Sequence, residues 1–177
     1  MSATTYFRPA PNAGPWSPPS LNQFKLNVDA AAVNNHDGEV GIGAVMRGSR
    51  GQVYGAMATK IYGHFNPLLA ECLALREGTS FAVHHKFFIL EIESDSKNAV
   101  EAFHQKAALS TESPIIYDTI FNCSKLGNVT CKYIPRSRNI VAHNFAKYAL
   151  RCTTNSWWCF ETPHCVYADV LTDIPFQ

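Results

Sequence analysis

The chain has 177 residues, of which 46% are hydrophobic and 16% charged, and its formal net charge is +1. That is enough chain and enough apolar side chain for one domain with a packed core, and it excludes a disordered, charge-rich segment. The near-neutral balance excludes strong long-range attraction to a polyanion, so a nucleic-acid partner would need a local basic patch.

Residues 1–20 hold five prolines and no apolar run, which predicts an extended, poorly ordered lead-in and no secretory leader. Phe24-Lys25-Leu26-Asn27-Val28-Asp29 alternates strictly, the signature of a strand with Asp29 at its polar end. Asn34, Asn35 and Asp37-Gly38 suit a turn. Gly41–Met46 and Gln52–Ala58 read as two apolar strands joined by a hairpin turn at Arg47-Gly48-Ser49-Arg50-Gly51.

Asn66-Pro67 supplies an N-cap and a first-turn proline for a helix to about Val83. Phe87–Glu93 is a continuous apolar strand of the kind buried on both faces, ended by Ser94 and Asp95. Helices are expected from Ser96 to about Ala107 and from Ser113-Pro114 to about Leu126, then a strand over Val129–Ile134. A last helix covers Asn139–Leu150, with Ala142, Ala146 and Ala149 as a small-residue stripe that permits close packing. The expected fold is α/β, a five-stranded mixed sheet with elements in the order βββαβααβα. The expected organisation is a lead-in (1–20), one domain (21–151) and an aromatic C-terminal tail (152–177) packed on it.

Six cysteines form no CxxC pair, and Cys152, Cys159, His164 and Cys165 fit no common zinc spacing. Free thiols in a reducing, intracellular compartment (cytoplasm or nucleus) are expected, with no membrane span and no small-molecule cofactor. Trp157, Trp158, Phe160 and Tyr167 read as core cover rather than a base-stacking platform.

Asp29 and Asp95 lie at the ends of strands that this topology can set side by side, where open sheets bind ligands. Glu71 lies on the first helix with Ala74 and Gly78 on its own face. Small residues there would let that face approach the sheet and bring Glu71 to the aspartates. Three converging carboxylates repel by several kcal/mol at ~4 Å and a surface-like dielectric, and a hard cation such as Mg²⁺ relieves this. Singly, each residue has a plainer reading: a strand-end Asp, a solvated helix Glu, an Asp that caps the next helix. Together in this order they favour a metal site suited to phosphoryl chemistry. His143 alone is evenly balanced between a ligand and a helix residue hydrogen-bonded near the sheet.

The segments Trp16-Ser-Pro-Pro19, Lys25–Asp29, Gly41–Arg47, Gly51, Ala70–Gly78, Glu93-Ser-Asp95-Ser96, Ile134-Pro-Arg136, Asn139 and Ala142-His143 resemble, in order and spacing, a type 1 ribonuclease H domain. The likeness is greatest to the plant group related to the ribonuclease H of non-LTR retrotransposon reverse transcriptases, and it covers roughly residues 16–150. It implies Mg²⁺-dependent (or Mn²⁺-dependent) endonucleolytic hydrolysis of the RNA strand of an RNA/DNA hybrid by a monomer. It also implies that Asp29, Glu71, Asp95 and His143 form the catalytic metal-binding set. Arg136 and Asn139 would flank the site and meet nucleic-acid phosphate.

The chain departs from that pattern at three places. His143 replaces the fourth carboxylate; it is neutral near pH 7 and prefers softer metals than Mg²⁺, although active RNA-slicing relatives of this fold carry such a set. Ala30 stands where Gly is usual. Residues 105–114 contain one Lys and lack the basic handle by which some members grip a hybrid. The alternative is therefore a catalytically weakened or inactive retroelement-derived domain that binds nucleic acid. A 3′–5′ exonuclease of similar fold expects Asp-x-Glu on the first strand, which Asp29-Ala30-Ala31 does not supply.

Overall fold

Strict alternation makes Lys25–Ala32 a strand, β1, but neither of its faces is wet. Leu26 and Val28 are fully buried on one side and Asn27 and Asp29 on the other. The computed structural model, which describes residues 14–32, 38–106 and 110–174, shows why: helices cover both faces of the sheet around β1. The expected turn over 34–37 lies outside the described residues.

β2 (Glu39–Arg47) and β3 (Val53–Tyr62) continue from β1 as an antiparallel meander. Helix α1 (Pro67–His84) starts as expected, with the Asn66 side chain accepting a hydrogen bond from the Leu69 N–H. It crosses to β4 (Glu91–Ser94), which pairs parallel with β1. This strand is shorter than the expected Phe87–Glu93: Phe88 is 72% exposed, and β1 reaches a partner only from Lys25 opposite Glu91. α2 (Lys97–His104), capped by Ser96, ends before the expected Ala107, and α3 (Ser113–Leu126) follows. β5 (Thr130–Tyr133) pairs parallel with β4, and α4 (Ile140–Arg151) follows one turn of 3₁₀ helix at Arg136–Arg138.

The strand count expected from sequence needs one correction. Ser156–Cys159 forms a sixth strand, β6, antiparallel to β3, and the sheet order is β5-β4-β1-β2-β3-β6. The aromatic residues there read as cover because their alternation spans only four residues, and strand pairing to a distant edge leaves no local trace. Trp158 does pack on Phe145 and Tyr148, whereas Trp157 is 54% exposed. A short helix α5 (Tyr167–Asp173) follows, with Val166 and Val170 buried against the α4 side. Residues 14–20 form no helix or strand, yet Trp16 is 2% exposed, so this part of the Pro-rich segment is anchored. No helix among the described residues is long and apolar enough to cross a membrane.

Small residues set how near the helices come. A Cβ at Gly78 of α1 would lie 2.6 Å from Val28 Cγ1, so only glycine allows α1 its approach to β1. On the opposite face a Cβ at Gly43 would lie 2.2 Å from the Ala142 carbonyl oxygen and 2.4 Å from the Ala146 nitrogen. The expected alanine stripe of α4 is buried there: Ala142 and Ala146 fully, Ala149 to 1%. Backbone cannot yield as a flexible side chain can. Gly43→Ala is therefore expected to lower the unfolding free energy by about 3 kcal/mol, measured by urea denaturation. A loss below about 1 kcal/mol would show that α4 rides higher on the sheet.

Candidate active site

β1 and β4 lie side by side with Val28 opposite Ser94, so Asp29 and Asp95 leave adjacent strands at the same level. Ser94 and Asp95 stand where β4 gives way to α2. α1 brings Glu71 to this strand end through its close seat on β1, and α4 brings His143 across the other face through its seat on Gly43. Of the four residues singled out in sequence, Asp29 and His143 are in contact, and the charges of Asp29 and Asp95 act on Glu71.

The electrostatics report their proximity. Asp29 is 1% exposed, and its carboxyl is pushed up to about 7 by burial and then by the Asp95 charge. Glu71 is pushed up to about 8 by burial and then by the charges of Asp29 and Asp95. Glu71 Oε2 is buried with no hydrogen-bond partner. A buried carboxylate oxygen without a donor, facing two further carboxylates, is a costly arrangement that a cation would relieve. The donor set, all hard oxygen, suits Mg²⁺ or Mn²⁺. Among the described residues, however, no three His, Cys, Asp or Glu side chains stand in ready-made coordinating geometry. Asp29 and Asp95 are instead drawn to protein partners.

Those partners are specific. His143 Nδ1 lies 2.6 Å from Asp29 Oδ2. Arg136 Nη2 lies 2.9 Å from His143 Nδ1 and 3.3 Å from Nε2. A short Asp–His contact favours the ion pair, yet Asp29 is raised and His143 is lowered. Burial of the imidazole and the positive charges of Arg136 and Lys147 outweigh the contact. The ring is therefore neutral at pH 7.

Arg136 is well exposed, with Nε 3.9 Å from Asp95 Oδ2. It borders the site and is free to meet a ligand. Asn139, paired with Arg136 in the sequence reading, is fully buried beside Asp95. Its Nδ2 donates to the Val28 carbonyl oxygen at 2.9 Å and to Asp95 Oδ1 at 2.8 Å. An amide with no exposed surface holds the site from within and cannot touch a strand of nucleic acid.

Sequence reading missed the polar layer beneath the site. Arg47 is fully buried, donates from Nη1 to Asp173 Oδ2 at 2.7 Å, and stacks 3.5 Å from the centre of the Trp16 ring. Trp16 Nε1 donates to Glu93 Oε2 at 2.6 Å, and Lys25 Nζ donates to Glu93 Oε1 at 2.8 Å. An Arg closing an apolar strand was the available signal, but its partner lies 126 residues away. A cavity of about 680 Å³ between α1 and the β3–β6 edge, lined by Arg76, Phe81, His84 and Trp157, contains none of the acidic set. Among the described residues, Cys152, Cys159 and Cys165 form no disulfide.

A family model described as reverse transcriptase-like matches residues 27–149, and the chain belongs to that family. A search of curated proteins finds no match. Among solved structures, the N-terminal RNase H domain of a Mycobacterium tuberculosis protein, fused to maltose-binding protein, is similar at a TM-score of 0.64 and 22% identity, covering 73% of this chain and 94% of that one. RNase H1 from the archaeon Halobacterium salinarum is similar at a TM-score of 0.59 and 22% identity, covering 73% and 98%. LC11-RNase H1, isolated from compost by a metagenomic approach, is similar in its complex with an RNA/DNA hybrid at a TM-score of 0.59 and 20% identity, covering 73% and 97%. At such identities the likeness is one of fold, and the fold is that of ribonuclease H.

Proposed function

We propose, from membership of the chain in the reverse transcriptase-like family, that it is a divalent-cation-dependent endoribonuclease acting on the RNA strand of RNA/DNA hybrids. The observation that carries this reading is the orphaned, buried Glu71 Oε2, whose carboxyl is raised by burial and then by the charges of Asp29 and Asp95. Asp29, Glu71 and Asp95 would hold the cation. Bound there, Mg²⁺ or Mn²⁺ supplies an activated water and neutralises charge developing on the phosphate.

The chain's own residues do the rest. Asp29 fixes the His143 ring through the 2.6 Å contact, and burial, helped by the Arg136 charge, disfavours protonation of that ring. A neutral imidazole can accept a proton at a ring nitrogen, which a metal-bound carboxylate does poorly. The exposed guanidinium of Arg136 offers a fork to a substrate phosphate. Asn139 takes no part in substrate contact; it positions Asp95.

Purified protein with a labelled hybrid, Mg²⁺ or Mn²⁺, and Asp95→Asn as comparison tests this. Cleavage should fall by at least about 10³ in the variant, as expected for loss of a major electrostatic contribution. Equal cleavage by the two proteins sinks the assignment. One observation favours a second reading, a weakened domain of retroelement origin that binds nucleic acid without turnover: a neutral His143 already occupies Asp29 Oδ2. That reading predicts hybrid retention that weakens steeply with salt and no product with either metal.

A further inference from the structure

A chain of buried hydrogen bonds runs along the α4 face of the sheet from Arg47 to Asp95, and its direction is fixed by chemistry. Arg47 can only donate. Its Nη2 lies 3.2 Å from Asn27, so Asn27 must present its oxygen there. The Asn27 amide nitrogen is thereby turned to Glu93 Oε2 at 2.8 Å and to Asn139 Oδ1 at 3.3 Å. Asn139 must then offer its oxygen to Asn27 and both amide hydrogens to Val28 O and Asp95 Oδ1. Asn27, Arg47 and Asn139 are each fully buried, so no water competes for these bonds. Flipping either amide would set donor against donor or acceptor against acceptor in a dry site, which is strongly disfavoured.

We infer that Arg47 and Asn27 are positioning residues for Asp95: the buried guanidinium, held by Asp173 and Trp16, sets the orientation of two successive amides so that Asp95 always meets an N–H donor. The donor holds Asp95 Oδ1 as an acceptor and fixes the rotation of the carboxylate. Residues from β2, β1 and the start of α4 thus act on one group of the site, and the C-terminal helix α5 anchors the relay through Asp173. The catalytic consequence rests on the proposed cation-dependent cleavage; the orientation of Asn139 does not.

The test uses the full chain, labelled with ¹⁵N. The Asn139 side-chain NH₂ should exchange with solvent at least tenfold more slowly than that of exposed Asn155. In Asn27→Asp, which removes the donor to Asn139 Oδ1, this protection should fall about tenfold. The kcat for hybrid cleavage should drop about tenfold, with KM within twofold. Ile116→Ala, in the core under α3 and remote from the relay, should lower Tm but leave both readouts unchanged. Should Asn27→Asp fail to fold, Asp173→Asn carries the test, with protection falling about threefold. Asn139 protection equal to wild type in either folded variant overturns the relay, whether or not the wild type cleaves a hybrid. Reduced protection with no cleavage by the wild type supports the relay and counts against the endonuclease reading alone.

Discussion

Glu71→Gln is expected to raise the stability of the metal-free protein at pH 8 while abolishing cleavage of a hybrid. The folded protein holds the Glu71 carboxyl at about 8 against an ordinary 4.5, and Asp29 at about 7 against 3.8. Both are acids raised by folding, so the folded state binds more protons than the unfolded one wherever the pH lies between these values. Stability then falls as pH rises, from about 4 until about 8, and the penalty is fully present above that window. Burial is the first cause for both groups; the second is the Asp95 charge for Asp29 and the Asp29 charge for Glu71.

For Glu71 the shift corresponds to several kcal/mol at most, and relaxation and the coupling of the three groups bring a realistic gain to about 2–3 kcal/mol. The amide of Gln can also donate to the neighbouring carboxylates, where Glu can only repel them. Urea denaturation in chelator at pH 5 and pH 8 measures this. Wild type should lose stability between the two, and the variant should lose about half as much. Adding Mg²⁺ should stabilise the wild type, by about 2.7 kcal/mol at a hundredfold excess over Kd, and leave the variant almost unmoved. A variant that is less stable than wild type at pH 8 in chelator would mean that Glu71 is a structural residue with an unseen donor.

The same electrostatics explain which parts of the molecule were legible from sequence. Asp29, Glu71 and Asp95 were legible only as an ordered set, since each alone has a plainer reading, and the small residues that seat the helices lie within those helices: Gly78 in α1, Ala142 and Ala146 in α4. Helix starts were legible through Asn66 and Ser96, whose side chains cap α1 and α2. β6 was not legible, because its pairing to β3 spans about a hundred residues and no local rule specifies an edge. Alternation sets Asn27 on the same face as Lys25 and Asp29 without saying what covers it, and the resemblance implies a phosphate contact for Asn139. Periodicity tells which residues share a face but not whether polar helices or water lie over it. The buried Arg47 made that face polar and dry at once, a combination that alternation cannot announce.

His143→Asp should lower stability without metal and raise Mg²⁺-dependent cleavage. In chelator at pH 8 a carboxylate at position 143 would meet Asp29, which the imidazole now contacts at 2.6 Å, and join Glu71 and Asp95. Two influences oppose the repulsion. Position 143 lies in the first turn of α4, where a negative charge gains about 0.3–1 kcal/mol, and Arg136 is at hand. Arg136 is largely exposed, so its screened attraction adds little. Like charges in a half-buried cluster weigh more, and the net loss should be about 2 kcal/mol. Mg²⁺ at a hundredfold excess over Kd offsets such a loss, so the variant's stability should depend far more steeply on Mg²⁺ than the wild type's. With four hard oxygen donors the cleavage rate in Mg²⁺ should rise about tenfold, and the rate ratio of Mn²⁺ to Mg²⁺ should fall, since imidazole suits the softer ion. Stability in chelator and rates with each metal, measured on the same preparations, decide between two roles for the histidine. A faster variant means that His143 is a degraded ligand position and that the wild type is a weakened nuclease. A variant slower than wild type in both metals means that the neutral imidazole, poised between Asp29 and Arg136, carries a proton that a carboxylate cannot carry from that place.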